Sequence, residues 1–266
     1  MRKDWGVYKL IACEVARPEF DRVISMSRKS VSVEYLEQGH HNDVVRGRKA
    51  IQERIDAAGE GEWEALLLGY ALCNNMLVGL QARVKPLVIA RAHDCITWFL
   101  GSKERYASTF EEAPGTYYYT AGWLKVVRSH DQAGQSASAS GVLVEGEYSR
   151  LVEQYGEDNA AYLWEMSNAW IKNYRYGAYI AVPGIDHDGH RKRVQEICAR
   201  NSWEYKEIEG DLGLLQRWVD GEWDAKDFLI VKPGDTIAPT PDAQIISVGR
   251  KEGGQNGRID RHQDAP

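Results

Sequence analysis

This chain has no long apolar run. A bilayer-spanning helix needs roughly 20 apolar residues in succession, so a membrane-embedded protein is not expected. The opening residues, MRKDW, lack the apolar core of a signal peptide. Cysteine is scarce: four residues in 266 make a poor disulfide scaffold, and thiol or metal chemistry in a reducing compartment is the better use for them. Basic residues are not in excess either. The formal net charge is −6 and no basic stripe is present, which leaves nucleic-acid binding without support. Neither GxGxxG nor GxxxxGKS occurs, so the common phosphate-cradling loops are missing, and so is a local CxxC pair. These absences leave a soluble cytoplasmic protein as the expectation.

What is present is ordinary globular composition, 43% hydrophobic and 27% charged, with nine Trp and fourteen Tyr to fill a core or line a pocket. Short apolar runs bounded by turn residues predict strands at 8–12, 31–36, 65–70, 86–89, 179–182, 205–208 and 228–231. Between them, apolar residues at helical spacing predict helices. One begins near Pro18 with Phe20, Val23 and Ile24 on one face. Another is capped by Asp43 and carries Val44, Ile51 and Ile55. A longer helical region over 148–170 is broken near Gly156. The repeated strand–helix pattern predicts an α/β fold, a mostly parallel Rossmann-like sheet with helices on both faces. The later repeats either extend that sheet or form a second lobe. The small polar stretch SHDQAGQSASASG at 129–141 marks the division expected between a first lobe, 1–130, and a second helical and βα part, 131–249. Residues 250–266 are polar, glycine-rich and aperiodic, and are expected to be a disordered tail.

The chemistry is expected on one rim. Cys13, His41, Cys73, His93 and Cys95 each follow a predicted strand, and parallel strands bring their carboxyl ends together in a crevice. Each also lies near a helix start, where the dipole favours thiolate over thiol. Three readings fit these residues. Cys73, Cys95 and His93, with Cys13 or His41, hold zinc. Alternatively, Cys13, Cys73 and Cys95 hold an iron–sulfur cluster with one iron open. In the third, a thiol is a nucleophile and a histidine its base. The catalytic candidates are therefore His93, Asp94 and Cys95. Asp94 has three roles open to it: binding a ligand, orienting His93, or capping the following helix. Arg91, Glu14, Asp186 and Asp211 are candidates to contact a cofactor or polar substrate, since they too follow strands. Against all this stands the bland reading that buried cysteines merely fill strand–helix junctions. Cys198, on the apolar face of a helix, is assigned to the core on that ground.

The segments RAHDCITWFLGSKERY at 91–106, PGTYYYTAGW at 114–123, LLGYALCNNMLVGL at 67–80, IACEVARPEF at 11–20 and GHHN at 39–42 resemble a family of prokaryotic proteins catalogued as a domain of unknown function, DUF1638. Weaker likenesses follow in EGDLGLL at 209–215 and GEWDAKDFLIVKPG at 221–234. The resemblance implies an α/β fold and supplies no established reaction. It does imply an association, because some members are encoded beside corrinoid-dependent methyltransferases. Zinc-dependent thiol methyltransferases use an H-x-C pair, as at His93 and Cys95, plus a later cysteine. Here the third thiol, Cys73, lies upstream, and the expected fold is not their large barrel. The resulting expectation is a zinc-dependent enzyme of thiol or methyl transfer, taking a small-molecule substrate and working with a corrinoid protein or methyltransferase. The alternative is a non-catalytic carrier of a small ligand, metal or corrinoid, or an iron–sulfur protein.

Overall fold

The apolar runs ALLLG and LVIA become strands buried along their whole length. That burial requires cover on both faces of the sheet they join. The computed structural model describes residues 7–37, 43–132, 147–185 and 188–249. Its strands are β1 (Val7–Cys13), β2 (Ser30–Leu36), β3 (Ala65–Gly69), β4 (Leu87–Ala90), β5 (Thr116–Tyr119), β6 (Tyr176–Ala181), β7 (Glu204–Glu209), β8 (Phe228–Val231), β9 (Thr236–Pro239) and β10 (Ile246–Gly249). Its α-helices are α1 (Arg17–Met26), α2 (Val44–Ala57), α3 (Ile96–Leu100), α4 (Lys103–Glu112), α5 (Ala121–Gln132), α6 (Glu147–Tyr155), α7 (Glu157–Asn168), α8 (Asp188–Asn201) and α9 (Gly213–Asp220).

The central sheet has the order β2-β1-β3-β4-β8. Its first four strands are parallel, whereas β8 runs antiparallel to β4. The sheet is therefore mostly parallel, as expected, with one antiparallel strand at its edge. The cause is local. Gly221 ends α9 in the left-handed conformation, and the turn bonds of Asp224 and Asp227 feed Phe228 straight back along β4 without a crossover. Of the later repeats, β8 joins this sheet and the strands before it do not. β5, β6 and β7 form a separate parallel sheet, and β9 and β10 a small antiparallel hairpin that the sequence reading did not anticipate. The second sheet begins at Thr116, and β8 then returns to the first sheet.

Alternation along β1 divides the core. Leu10 and Ala12 face a cluster with Phe20 and Val23 of α1, Trp98 of α3 and Trp218 of α9. Ile11 and Cys13 face the other side, with Ile51 and Ile55 of α2 and Met76, Leu77 and Leu80. Successive side chains of a strand point to opposite faces, so one run serves both layers. Several sequence-level caps are observed. Asp43 accepts the N–H of Arg46 at 3.0 Å, Pro18 lies in the first turn of α1, and Gly156 separates α6 from α7. Among the described residues no helix is long and apolar enough to cross a membrane. The tail from 250 onward lies outside the described residues.

Candidate functional site

Strand order fixes where a crevice can form. β2 lies on one side of β1 and β3 on the other, so the chain leaves β1 in one direction and later returns on its opposite flank. At such a reversal the loops beyond the carboxyl ends diverge and leave room for a ligand. Cys13 is the last residue of β1, Cys73 follows β3, and Cys95 follows β4.

The loops after β3 and β4 are laced together beyond the sheet. Leu72 N–H donates to Ala92 O at 2.9 Å, and Cys73 N–H to His93 O at 3.0 Å. The chain then turns sharply: Cys73, Asn74 and Asn75 take φ of 40°, 55° and 65° in succession. Left-handed backbone is costly for residues with a side chain, though Asn bears it best. The turn is anchored from outside by Arg48, whose Nη2 donates to Asn75 O at 2.8 Å.

Cys13, Cys73 and Cys95 line one cavity of about 360 Å³, together with Tyr70, His93, Asp94, Trp98 and Trp123. Cys13 is buried, while Cys73 and Cys95 keep some exposure toward the cavity. Enclosure pushes the Cys13 and Cys73 thiols up to about 12, with loss of solvation the main cause for both. Cys95 is also held well above the usual thiol range, first by burial and then by Cys73, Asp94 and Cys13. This corrects the expectation that helix dipoles would leave thiolates here. α3 begins at Ile96 and has only five residues, so its dipole is too short to offset the lost water. Without a cation these groups are thiols at neutral pH. A divalent ion inverts that logic, since coordination deprotonates a thiol outright.

His93 is exposed at the cavity edge, whereas Asp94 is half-buried. Asp94 Oδ1 accepts the N–H of Ile96 at 3.0 Å, and its Oδ2 accepts the hydroxyl of Tyr106 at 2.8 Å. The first bond is the turn-closing role read from the sequence, placed one residue ahead of the helix cap. Tyr106 was not singled out, although its place in the 91–106 segment was the available signal. Burial holds the Asp94 carboxyl above its usual range despite these donors.

A second cavity of about 530 Å³ adjoins the first. Val15, Asp94, Cys95 and Trp123 line both. Trp123 reaches this position because α5 starts hard against the loop after β1. A Cβ on Gly122 would stand 1.8 Å from the carbonyl oxygen of Val15, so only glycine fits.

The remaining candidates go elsewhere. The Arg91 guanidinium is buried on main-chain carbonyls, with Nε donating to Ala225 O at 3.1 Å and Nη1 to Gln244 O at 3.0 Å. It ties β4 to the chain around β8 and β10 and lines neither cavity. Asp211 Oδ1 accepts the N–H of Gly213 at 2.7 Å and lies in a different depression, with Arg22 and Arg105. Glu14 lies beside Cys13 and raises its pKa slightly, but opens onto another hollow with Arg17 and Lys125. His41 and Asp186 lie outside the described residues. Cys198 is buried in the second sheet's core, its Sγ 3.6 Å from Gly177 O, as its helical position implied.

Among the described residues no group of three or more His, Cys, Asp or Glu stands at ligating distances for a metal ion. The donor chemistry nonetheless suits one. Three soft sulfurs share a wall, and Cys13 and Cys73 both raise the pKa of Cys95, which places the three within electrostatic reach of one another.

No curated protein and no solved structure matches the chain. A family model described as "Protein of unknown function (DUF1638)" matches residues 35–219, a span that holds Cys73, His93, Asp94, Cys95, Tyr106 and both tyrosine-rich walls of the larger cavity. The chain belongs to the DUF1638 family.

Proposed function

We propose that this protein is a zinc-dependent enzyme of thiol or methyl transfer, with Cys13, Cys73 and Cys95 as the zinc ligands. One observation carries the reading: three cysteines from the ends of three neighbouring strands line one cavity. Three protein ligands leave a fourth tetrahedral position for a substrate, the arrangement of catalytic rather than structural zinc. When bound, the ion would keep a substrate thiol ionised at neutral pH.

The chain's own groups supply the rest. His93, exposed at the cavity edge, accepts the proton that the substrate thiol releases and passes it to solvent. The substrate sulfur then attacks the alkyl carbon of a donor. The S–C bond forms as the carbon–donor bond breaks, and the donor keeps the electron pair. A methylated corrinoid protein of a partner methyltransferase system is the donor this reading favours, on the strength of the family's association. Asp94, fixed by Ile96 and Tyr106, holds the turn that places Cys95. The β2-β1-β3-β4 order supports a Rossmann-like first sheet, since doubly wound sheets bind ligands where strand order reverses. The neighbouring aromatic cavity favours a second reading, a carrier that binds a small ligand without transforming it.

Metal analysis of protein purified with and without oxygen tests the proposal. About one zinc per chain, lost in Cys73→Ser and Cys95→Ser but kept in Cys198→Ser, is expected. Iron with visible absorbance that bleaches in air would assign the thiols to an iron–sulfur cluster instead. Absence of any metal, with zinc affinity unchanged by the substitutions, would overturn the centre altogether.

A further inference from the structure

The larger cavity has a chemical character distinct from the thiol wall. Tyr106, Tyr117, Tyr118, Trp123 and Tyr174 line it, and among the described residues Asp94 is the one charged side chain in its lining. The rings do not stack into a flat slot. Tyr106 and Tyr118 meet edge to face, with centroids 6.0 Å apart and planes at 80°. Tyr117 and Tyr174 do the same at 5.3 Å and 74°. Tyr117 and Tyr118 are neighbours on β5 and point to opposite faces. Tyr117 and Tyr174 pack on Trp203 in the second sheet's core, which leaves Tyr106 and Tyr118 as the aromatic wall beside Asp94. Aromatic faces carry negative potential and attract cations, most strongly where water is excluded.

The carboxylate adjoins this wall. Asp94 spends one lone pair on Ile96 N–H and one on the Tyr106 hydroxyl. The Thr97 N–H adds a third contact, so of the roughly four acceptor positions of an ionised carboxylate about one remains. No Lys, Arg or His of the described residues lines this cavity to neutralise it. His93 lies on the thiol side and is exposed to solvent. At about 530 Å³ the volume is that of a small-molecule site.

We infer that this chamber binds a small organic cation of the methylated ammonium class, held by Tyr106 and Tyr118 and by the carboxylate of Asp94. The inference rests on the proposed function only in taking the chamber as the substrate side of the thiol centre. The binding itself needs no metal. A quaternary head suits the chamber better than a primary amine, because methyl groups contact ring faces while the charge needs no hydrogen-bond acceptor.

Calorimetric titration with choline and with its uncharged isostere 3,3-dimethylbutan-1-ol tests the inference on full-length protein. Choline is expected to bind about tenfold or more tightly than the isostere. Asp94→Asn and Tyr118→Leu, each checked for native circular dichroism, are expected to weaken choline by about tenfold and the isostere little. Tetramethylammonium should compete with choline. Cys73→Ser is expected to lose metal and keep choline binding, so failure of the thiol centre and failure of the chamber are read separately. Equal or tighter binding of the neutral isostere would overturn the inference, and so would the absence of binding by both choline and tetramethylammonium to folded protein. Choline binding unaffected by both chamber substitutions would place the site elsewhere and overturn it as well.

Discussion

The N–H of Cys73 donates to the carbonyl of His93 at 3.0 Å, twenty residues along the chain. This bond continues the β3–β4 pairing past the end of both strands, and it puts one thiol beside the turn that carries another. Such a site is as rigid as the sheet edge beneath it. Its position owes less to side-chain choice than to where two short strands stop.

The turn that follows should register in stability. Asn74 and Asn75 sit in the left-handed region, where a β-branched side chain is worst accommodated. Asn75→Val is expected to cost about 1–2 kcal/mol in urea unfolding, and Asn75→Gly to be neutral or slightly stabilising. Equal losses for both would mean that the Asn side chain, not the backbone, is what the turn needs.

Metal uptake should be coupled to protons. Cys13 and Cys73 are pushed up to about 12 and Cys95 is raised too, so all three enter the reaction as thiols. Each must lose its proton to ligate. Zinc binding at pH 7 is expected to release about three protons per ion, and affinity should rise with pH between 6 and 8. Calorimetry in buffers of different ionisation enthalpy counts them. Release of fewer than about one proton would mean that the thiols are not the ligands.

Cys198 offers the control. Its Sγ is packed so closely that a Cβ on Gly177 would stand 2.3 Å away. Cys198→Ala is expected to cost about 1–2 kcal/mol through the cavity it leaves, with metal content unchanged. Loss of metal from a folded Cys198→Ala protein would show that the thiols had been wrongly divided between core and site.

Much of this arrangement is legible in the sequence, and the limits have physical causes. Runs such as ALLLG and LVIA announce buried strands, and residues just past them share a rim whenever the strands are parallel. Direction is another matter. FLIV at 228–231 reads like LVIA, yet one is antiparallel to the other, because a four-residue apolar run records burial and not polarity. The β9–β10 hairpin is hidden among Pro, Gly and Asp, which signal turns more strongly than its short strands signal pairing. The thiolate reading failed because helix starts were visible and the depth of burial was not. Glu19 was missed for a similar reason. An acid beside Pro18 in a first helical turn looks like a solvated partner of the dipole, but the fold closes over it completely.

That glutamate carries a pH prediction. Burial raises the Glu19 carboxyl from 4.5 to about 7, and nearby N–H groups and Lys125 offset this only in part, since no full hydrogen bond reaches either oxygen. Below pH 4.5 the group is protonated in both folded and unfolded chains and has no effect. Between 4.5 and about 7 the unfolded chain ionises while the folded one keeps its proton, so stability falls as pH rises. Above about 7 the whole penalty, roughly 3 kcal/mol, is present. Glu19→Gln is therefore expected to match the parent near pH 4.5 and to exceed it at pH 8. A substitution equally costly at both pH values would show that the charged form is held by contacts stronger than those described.

The adjacent pair His93 and Asp94 separates the two cavities. His93 is exposed, so His93→Ala should change stability by no more than about 0.5 kcal/mol. Its expected effect is on the thiol centre, where proton removal from a bound thiol slows. Asp94 faces inward. Asn at this position keeps an oxygen for the Ile96 N–H and can donate its amide N–H to the Tyr106 hydroxyl oxygen, so the fold and the zinc content should survive while the cation chamber loses its charge. Tyr106→Phe removes only the hydroxyl and is expected to cost about 1 kcal/mol and to leave choline binding largely intact, because the ring face remains. Metal content, unfolding free energy and choline affinity measured on these three variants distinguish the roles. If Asp94→Asn strips the metal while His93→Ala leaves thiol chemistry untouched, the carboxylate is a ligand of the thiol centre. The tyrosine wall would then have no charge of its own to offer a cation.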